Sequence, residues 1–295
     1  MDIQYLNSEA IDKVKWNSCI HYANNGNVFG YKWYLDFVAK DWDALVEGDY
    51  ESVFPLVWRD GRRGSKMLVQ PQWMRELGIY SIHVLSPART RNFIEAIPDS
   101  FKQVDIVLNE QNNPPADLDF EVIQELNYQL FLGSDYETLR NAYAPGLVAT
   151  LEQLPDTGLV PSGSLKPEQL TDLYIQVNGS KTADSTHALL RIMYNALHRG
   201  WGFLSGIRNK NGDLTAAAFF INSHGKLLSL VQVETAEGQE KGALAYLMDA
   251  LLQTNAGRPI LLDLNTSDDP LAAALGASSN NYYRIRRDGR RFKWL

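Results

Sequence analysis

The fold is decided by Leu227-Leu-Ser-Leu-Val-Gln-Val-Glu-Thr-Ala-Glu-Gly-Gln-Glu-Lys-Gly-Ala-Leu-Ala-Tyr-Leu-Met248. Its first eight residues are mostly apolar and read as a strand. The centre carries Gly238 and Gly242, and the apolar run from Ala243 reads as a helix. A strand, a glycine loop and a helix follow one another. The first N–H groups of such a helix have no intrahelical partner and can receive an anion. Gly238 and Gly242 would allow close backbone approach, and Lys241 adds a positive charge. An ordinary strand-to-helix turn has the same signature.

Working outward, three strands are expected in meander order: Gly202–Arg208, Leu214–Ile221 and Leu227–Glu234. Lys210-Asn-Gly-Asp213 and Ser223-His-Gly-Lys226 between them are hairpin turn chemistry. Helices are expected at 167–177 and 184–199 before the meander, and at Ala243–Gln253 after it. Pro259–Leu264 is nearly continuously apolar, hence a central strand. A short helix at Asp268–Leu275 follows, then a hairpin of Asn281–Arg287 and Arg290–Trp294 around Asp288-Gly289. This order implies an α/β domain with a mixed sheet, because three meander strands precede the first crossover helix.

The first half repeats that order. Val28, Tyr31, Leu35 and Val38 fall at helical spacing, and a strand hairpin follows around Gly48-Asp49. A strand at Ser65–Gln70, a helix capped by Ser86-Pro87, and strands at 104–108 and 120–130 complete it. Residues 155–164, with two prolines and two glycines, are the expected boundary between domains at 1–154 and 165–295.

Length and composition agree with two domains. The chain has 295 residues, 45% hydrophobic and 21% charged, which is ordinary for a globular protein. Its one cysteine, Cys19, excludes an intrachain disulfide and a multi-cysteine zinc site. The five histidines have no metal-ligand spacing, so no metal is expected. There is no basic segment followed by an apolar run at Met1–Glu9, and no apolar stretch long enough to span a membrane. A cytoplasmic protein is expected. Net charge is −7, but residues 1–150 carry 13 Lys/Arg against 21 Asp/Glu while residues 151–295 carry 15 against 14. An acidic first half argues against general nucleic-acid binding, and an anionic ligand would be better received by the second half.

The run from Gly202 to Arg287 resembles the GNAT acyltransferase fold. The whole chain resembles the FemABX-like branch, in which two GNAT-like domains stand in tandem. The residues that carry this are Leu214-Thr-Ala-Ala-Ala-Phe-Phe220, Gly242-Ala-Leu-Ala-Tyr-Leu-Met248, Leu261-Leu-Asp-Leu-Asn265, Leu275-Gly-Ala277 and Tyr282-Tyr-Arg-Ile285. The resemblance implies transfer of an acyl group to a small-molecule or peptide amine, from acyl-coenzyme A or from aminoacyl-tRNA. It implies that Gln239, Lys241, Gly242 and Ala243 hold the coenzyme A pyrophosphate. The family pattern Gln/Arg-x-x-Gly-x-Gly/Ala is kept at Gln239 and Gly242 and departs at Leu244. Ala272 stands where many GNAT domains have a tyrosine acid. The segment Tyr143–Glu152 lacks the basic residues usual in FemABX-like relatives, so tRNA is the less favoured donor.

Glu234, at the end of the third meander strand, is the candidate general base, against the plainer reading of a solvated carboxylate. Gln232 shares its strand face and could orient substrate. Asn265, with Asp263 at a central strand end, could bind the donor arm or cap the next helix. Tyr283 or its neighbour Tyr282 could replace the missing tyrosine acid. Arg284, Arg286 and Arg287 open a basic cluster that reads as an anion-binding edge or a charged strand edge. Two readings stand: an N-acyltransferase, or a GNAT-like scaffold that has lost catalysis and binds a ligand or protein. The first predicts splayed central strands with loop N–H groups facing a cleft; the second predicts that side chains plug it.

Overall fold

In the computed structural model, which describes residues 2–61, 64–179 and 182–288, the chain divides into two compact units. The first is Met1–Glu125 with Asn281–Leu295, and the second is Leu126–Asn280.

The first unit runs β1 (Ile3–Asn7), α1 (Lys13–Tyr22), α2 (Lys32–Val38), β2 (Asp41–Glu47), β3 (Ser52–Asp60), β4 (Lys66–Val69), β5 (Tyr80–Ser81), α3 (Pro87–Glu95) and β6 (Phe101–Val107). The second contains most of β7 (Glu121–Phe131), then α4 (Tyr136–Asn141), α5 (Pro145–Thr157), β8 (Val160–Pro161), α6 (Pro167–Asn178), α7 (Ala183–His198), β9 (Gly202–Arg208), β10 (Leu214–Ser223), β11 (Lys226–Glu234), α8 (Ala236–Lys241), α9 (Ala243–Asn255), β12 (Leu261–Asp263) and α10 (Pro270–Ala274). The last strand, β13 (Ser278–Arg287), gives its greater part to the first unit.

Strand order in the first unit is β1-β2-β3-β4-β6-β13, with β5 beside β3. In the second it is β8-β9-β10-β11-β12-β7. The orders match strand for strand, and each has one parallel pair at the same place, β4–β6 and β11–β12. Each unit takes its final strand from the other half of the sequence. That exchange makes the first unit discontinuous. Residues 155–164 lie inside the second unit: α5 continues through Pro155, ends on the left-handed Gly158 and leads into β8. Tandem halves in sequence and compact units are thus divided at different residues.

Most expected elements form within a few residues of their sequence positions. Ser86 caps α3 through the Arg89 N–H at 3.2 Å. The expected helix at 28–38 is a 3-10 turn at Val28–Gly30 followed by α2. The turn at Gly289 and the strand at Arg290–Trp294 lie outside the described residues. α1 has no counterpart in the sequence reading. Its buried stripe is only Trp16, Cys19 and Ile20, set among polar residues. Burial pushes the Cys19 thiol up to about 12, so it is an inert core group.

The second unit's core packs α5, α9 and α10 on one face of the meander, through Ala216, Ala218, Phe220, Leu247, Met248 and Leu262. What positions the site is the path of β12. It pairs with β11 only at Leu261, Leu262 and Asp263. Beyond Asp263 the chain turns to β7: Leu264 N–H donates to the Tyr128 carbonyl, and Tyr128 N–H to the Thr266 carbonyl, both at 3.0 Å. The buried Asp263 carboxylate fixes the turn. It accepts from Asn127 Nδ2 at 2.8 Å, Gln129 Nε2 at 3.3 Å and the Asn265 N–H at 2.9 Å. Removing a buried carboxylate leaves these donors unpaired, at a cost of about 3 kcal/mol. Asp263→Ala is therefore expected to lower the unfolding free energy measured in urea by that amount. A loss under 1 kcal/mol would show that the network does not hold the turn.

Candidate functional site

From Ser229 to Glu234, β11 has no strand partner on its β12 side among the described residues, while its other edge stays paired with β10 to Ala216. The parting of the two strands leaves a gap. Asn265 sits at its head in the left-handed region (φ 56°), and its Nδ2 reaches the Leu230 carbonyl at 3.2 Å. A side chain thus satisfies the first carbonyl that strand pairing gives up. Gln232 shares the Glu234 face by the period of two, and its Nε2 donates to Ser229 Oγ at 2.7 Å.

Glu234 ends the strand half-buried. Its Oε2 accepts the Leu244 N–H at 3.1 Å, in the first turn of α9. Its Oε1 has no hydrogen-bond partner among the described residues. Burial pushes the carboxyl above its ordinary range, the Leu244 N–H pulls it back, and the Asp269 charge pushes it further up.

The glycine loop is a short helix, α8, capped by Thr235 Oγ1 on the Gly238 N–H at 3.0 Å. It ends at Gly242, whose φ of 73° favours glycine. Gly242 N–H is turned back to the Gln239 carbonyl. A Cβ at Gly242 would collide with Thr150 Cγ2 on α5, and one at Gly238 with the Thr215 carbonyl of β10. Both glycines therefore serve packing inside the protein. Lys241 Nζ is 2.8 Å from Glu237, which also accepts from Asn209 at 3.0 Å. Gln239 is exposed and Ala243 is fully buried. Leu244 packs against the core, and Ala272 is buried within it.

The structure thus brings Gln232, Glu234, Gln239, Lys241, Gly242, Ala243 and Asn265 into one compact unit. It does not do so for Tyr283, which lies on β13 in the first unit, half-buried, its carbonyl accepting from the Leu108 N–H. Tyr282 is buried, with its hydroxyl 3.2 Å from Glu110. Two of the three described arginines of the basic cluster face carboxylates. Arg284 pairs with Asp105 and Glu125, Arg286 lies 3.6 Å from Asp105, and Arg287 donates to the Phe101 carbonyl. Thr150, Asn127 and Asp269 also shape the site. Sequence offered no signal for them, because each acts on residues more than 30 positions away.

Beside the β11–α8 junction, Gln169, Asp172, Arg208, Asp213, Thr235 and Glu237 help line a groove of about 740 Å3. Asp172, Asp213 and Glu237 outnumber the one guanidinium of Arg208 in this lining, so the groove is acidic. Among the described residues, no three His, Cys, Asp or Glu side chains gather to hold a metal ion, and no helix is long and apolar enough to cross a membrane.

Solved structures share this architecture. FemX superposes with a TM-score of 0.62 at 9% identity, covering 96% of this chain and 97% of that one. L-PGS from Bacillus licheniformis gives 0.56 at 11% identity, covering 93% and 91%. A tandem GNAT protein from the clavulanic acid biosynthesis pathway, solved without AcCoA, gives 0.52 at 12% identity, covering 97% and 98%. No protein-family model and no curated protein matches the sequence. The chain has the FemABX-like GNAT acyltransferase fold, α/β with a mixed sheet.

The packing role of Gly242 is open to test. Gly242→Ala meets both an unfavourable φ and the Thr150 methyl, and is expected to cost about 2–3 kcal/mol in urea unfolding. Adding Thr150→Ala should return the steric part of the loss and leave the part due to φ. An unchanged loss in the double variant would rule out the contact with α5 as a cause.

Proposed function

We propose that the second unit carries transfer of an activated acyl group to an amine. The observation that carries this reading is the gap opened where β12 leaves β11, with a half-buried carboxylate at the end of the freed strand. Such a gap admits an extended acyl carrier alongside β11. Asn265 and Gln232 would orient the carrier, and the acidic groove at Asp172, Asp213 and Glu237 suits an amine acceptor.

Glu234 has the attributes of a general base. One oxygen is anchored on the Leu244 N–H, the other has no hydrogen-bond partner among the described residues, and burial raises its proton affinity. The neutral amine attacks the acyl carbonyl and a C–N bond forms. The amine proton passes to Glu234 Oε1, the C–S or C–O bond to the carrier breaks, and Glu234 returns the proton to the leaving group. This route needs no tyrosine acid, so the place of Tyr283 in the first unit does not obstruct it. On this reading the donor is a thioester or ester and the protein acts in the cytoplasm.

The buried Ala272 and the engagement of Glu234 with the protein's own helix favour a second reading, a binding module without catalysis. Mass spectrometry of an amine panel (a polyamine, a lysine peptide, free amino acids) offered acetyl-coenzyme A, an acetyl N-acetylcysteamine thioester and an aminoacyl ester separates the two. An enzyme gives an N-acyl product, with at least a hundredfold lower rate in Glu234→Gln. Its rate should fall on the acid side, with an apparent pKa above the ~4.3 of an ordinary glutamate, because protonation removes the base. Absence of product from every donor, or full activity in Glu234→Gln, sinks the catalytic reading.

A further inference from the structure

Three groups that would receive a diphosphate at the glycine loop, the Leu244 N–H, the Gly242 N–H and Lys241, are already engaged within the chain. Leu244 N–H, in the first turn of α9 where the helix dipole favours negative charge, is held by Glu234 Oε2 at 3.1 Å. Gly242 N–H is turned inward to the Gln239 carbonyl. Lys241 is paired with Glu237 at 2.8 Å. Thr150 of α5 covers Gly242. Residues 234–244 hold three carboxylates, Glu234, Glu237 and Glu240, against the one cation Lys241. A diphosphate entering here would compete with Glu234 for the same N–H and be repelled by its charge and by that of Asp269.

We infer that Glu234 is a specificity-determining residue: it stands where a donor's diphosphate would bind, so the second unit takes its acyl group on a carrier arm that gains nothing from a diphosphate at this loop. This rests on the reading of the second unit as an acyl-transfer site. The internal anion offsets the helix dipole at the start of α9. The gap beside β11 is left for the uncharged part of the carrier, and the phosphate-bearing end of coenzyme A contributes no affinity.

Calorimetry with two probes tests this, coenzyme A and pantetheine, which has the same arm without the nucleotide diphosphate. The wild-type protein is expected to bind them within threefold of one another. Glu234→Gln removes the charge and keeps an oxygen to accept from Leu244, while Glu234→Ala removes both. Each should bind coenzyme A at least tenfold more tightly than wild type, with pantetheine unchanged. Tenfold tighter binding of coenzyme A than pantetheine by the wild-type protein overturns the inference. So does unaltered coenzyme A affinity in variants that melt cooperatively. If both variants fail to fold, the wild-type comparison alone decides. The outcome is separate from that of the acylation assay, because binding is read without turnover.

Discussion

The second unit depends on one buried carboxylate. Asp263 collects hydrogen bonds from Asn127, Gln129 and the Asn265 backbone, and so commits the chain after β12 to the β7 side. A parallel strand continuing along β11 would have paired with it to its end and left a closed sheet. Because the turn is fixed by a charged group in a low-dielectric setting, it cannot slide by a residue without stranding three donors. The parting of the strands is therefore a built feature. Asn265, in its left-handed conformation, finishes the work by satisfying the Leu230 carbonyl.

The electrostatics of the loop follow from the same geometry. Once β12 has turned away, Glu234 faces the start of α9 with no strand beside it. A helix N-terminus and a carboxylate at that spacing attract one another. Burial raises the proton affinity of Glu234, the pairing with the Leu244 N–H draws it partly back, and one carboxylate oxygen has no partner among the described residues. The carboxylate beside the gap and the anion at the start of α9 are thus the same group.

Local signals in the sequence were strong where one segment explains itself. The meander, its turns, the Ser86 cap, and the strand and long helix of 227–248 read correctly because their periodicity and turn residues lie within a few positions, whereas the expected glycine loop between them is the helix α8. The exchange of β7 and β13 was hidden, since strand pairing between distant segments leaves no local mark. Gly238 and Gly242 show the limit most clearly. Their sequence context suggested close approach of a ligand. The close approach is that of Thr215 and Thr150, and nothing adjacent to the glycines announces either contact. Arg284 and Arg286 read equally as an anion-binding edge or a charged strand edge until Asp105, Glu121 and Glu125 are placed opposite them.

The matched strand orders allow the two units to be compared at their parallel pairs. In the first unit β4 is four residues long, and all of it lies against β6. The chain that follows closes the place where a gap would open: Gln70 Oε1 accepts the Val107 N–H at 3.0 Å, and Leu77 N–H donates to the Val107 carbonyl at 2.7 Å. No strand runs on past its partner there, and α3 begins from Ser86 and Pro87 without a glycine loop. A duplicated architecture thus has two physically different ends. One parallel pair is sealed by backbone and a glutamine side chain, while the other is forced apart by Asp263 with a carboxylate at its open end. The difference lies in a few hydrogen-bonding side chains, because the strand order is the same in both.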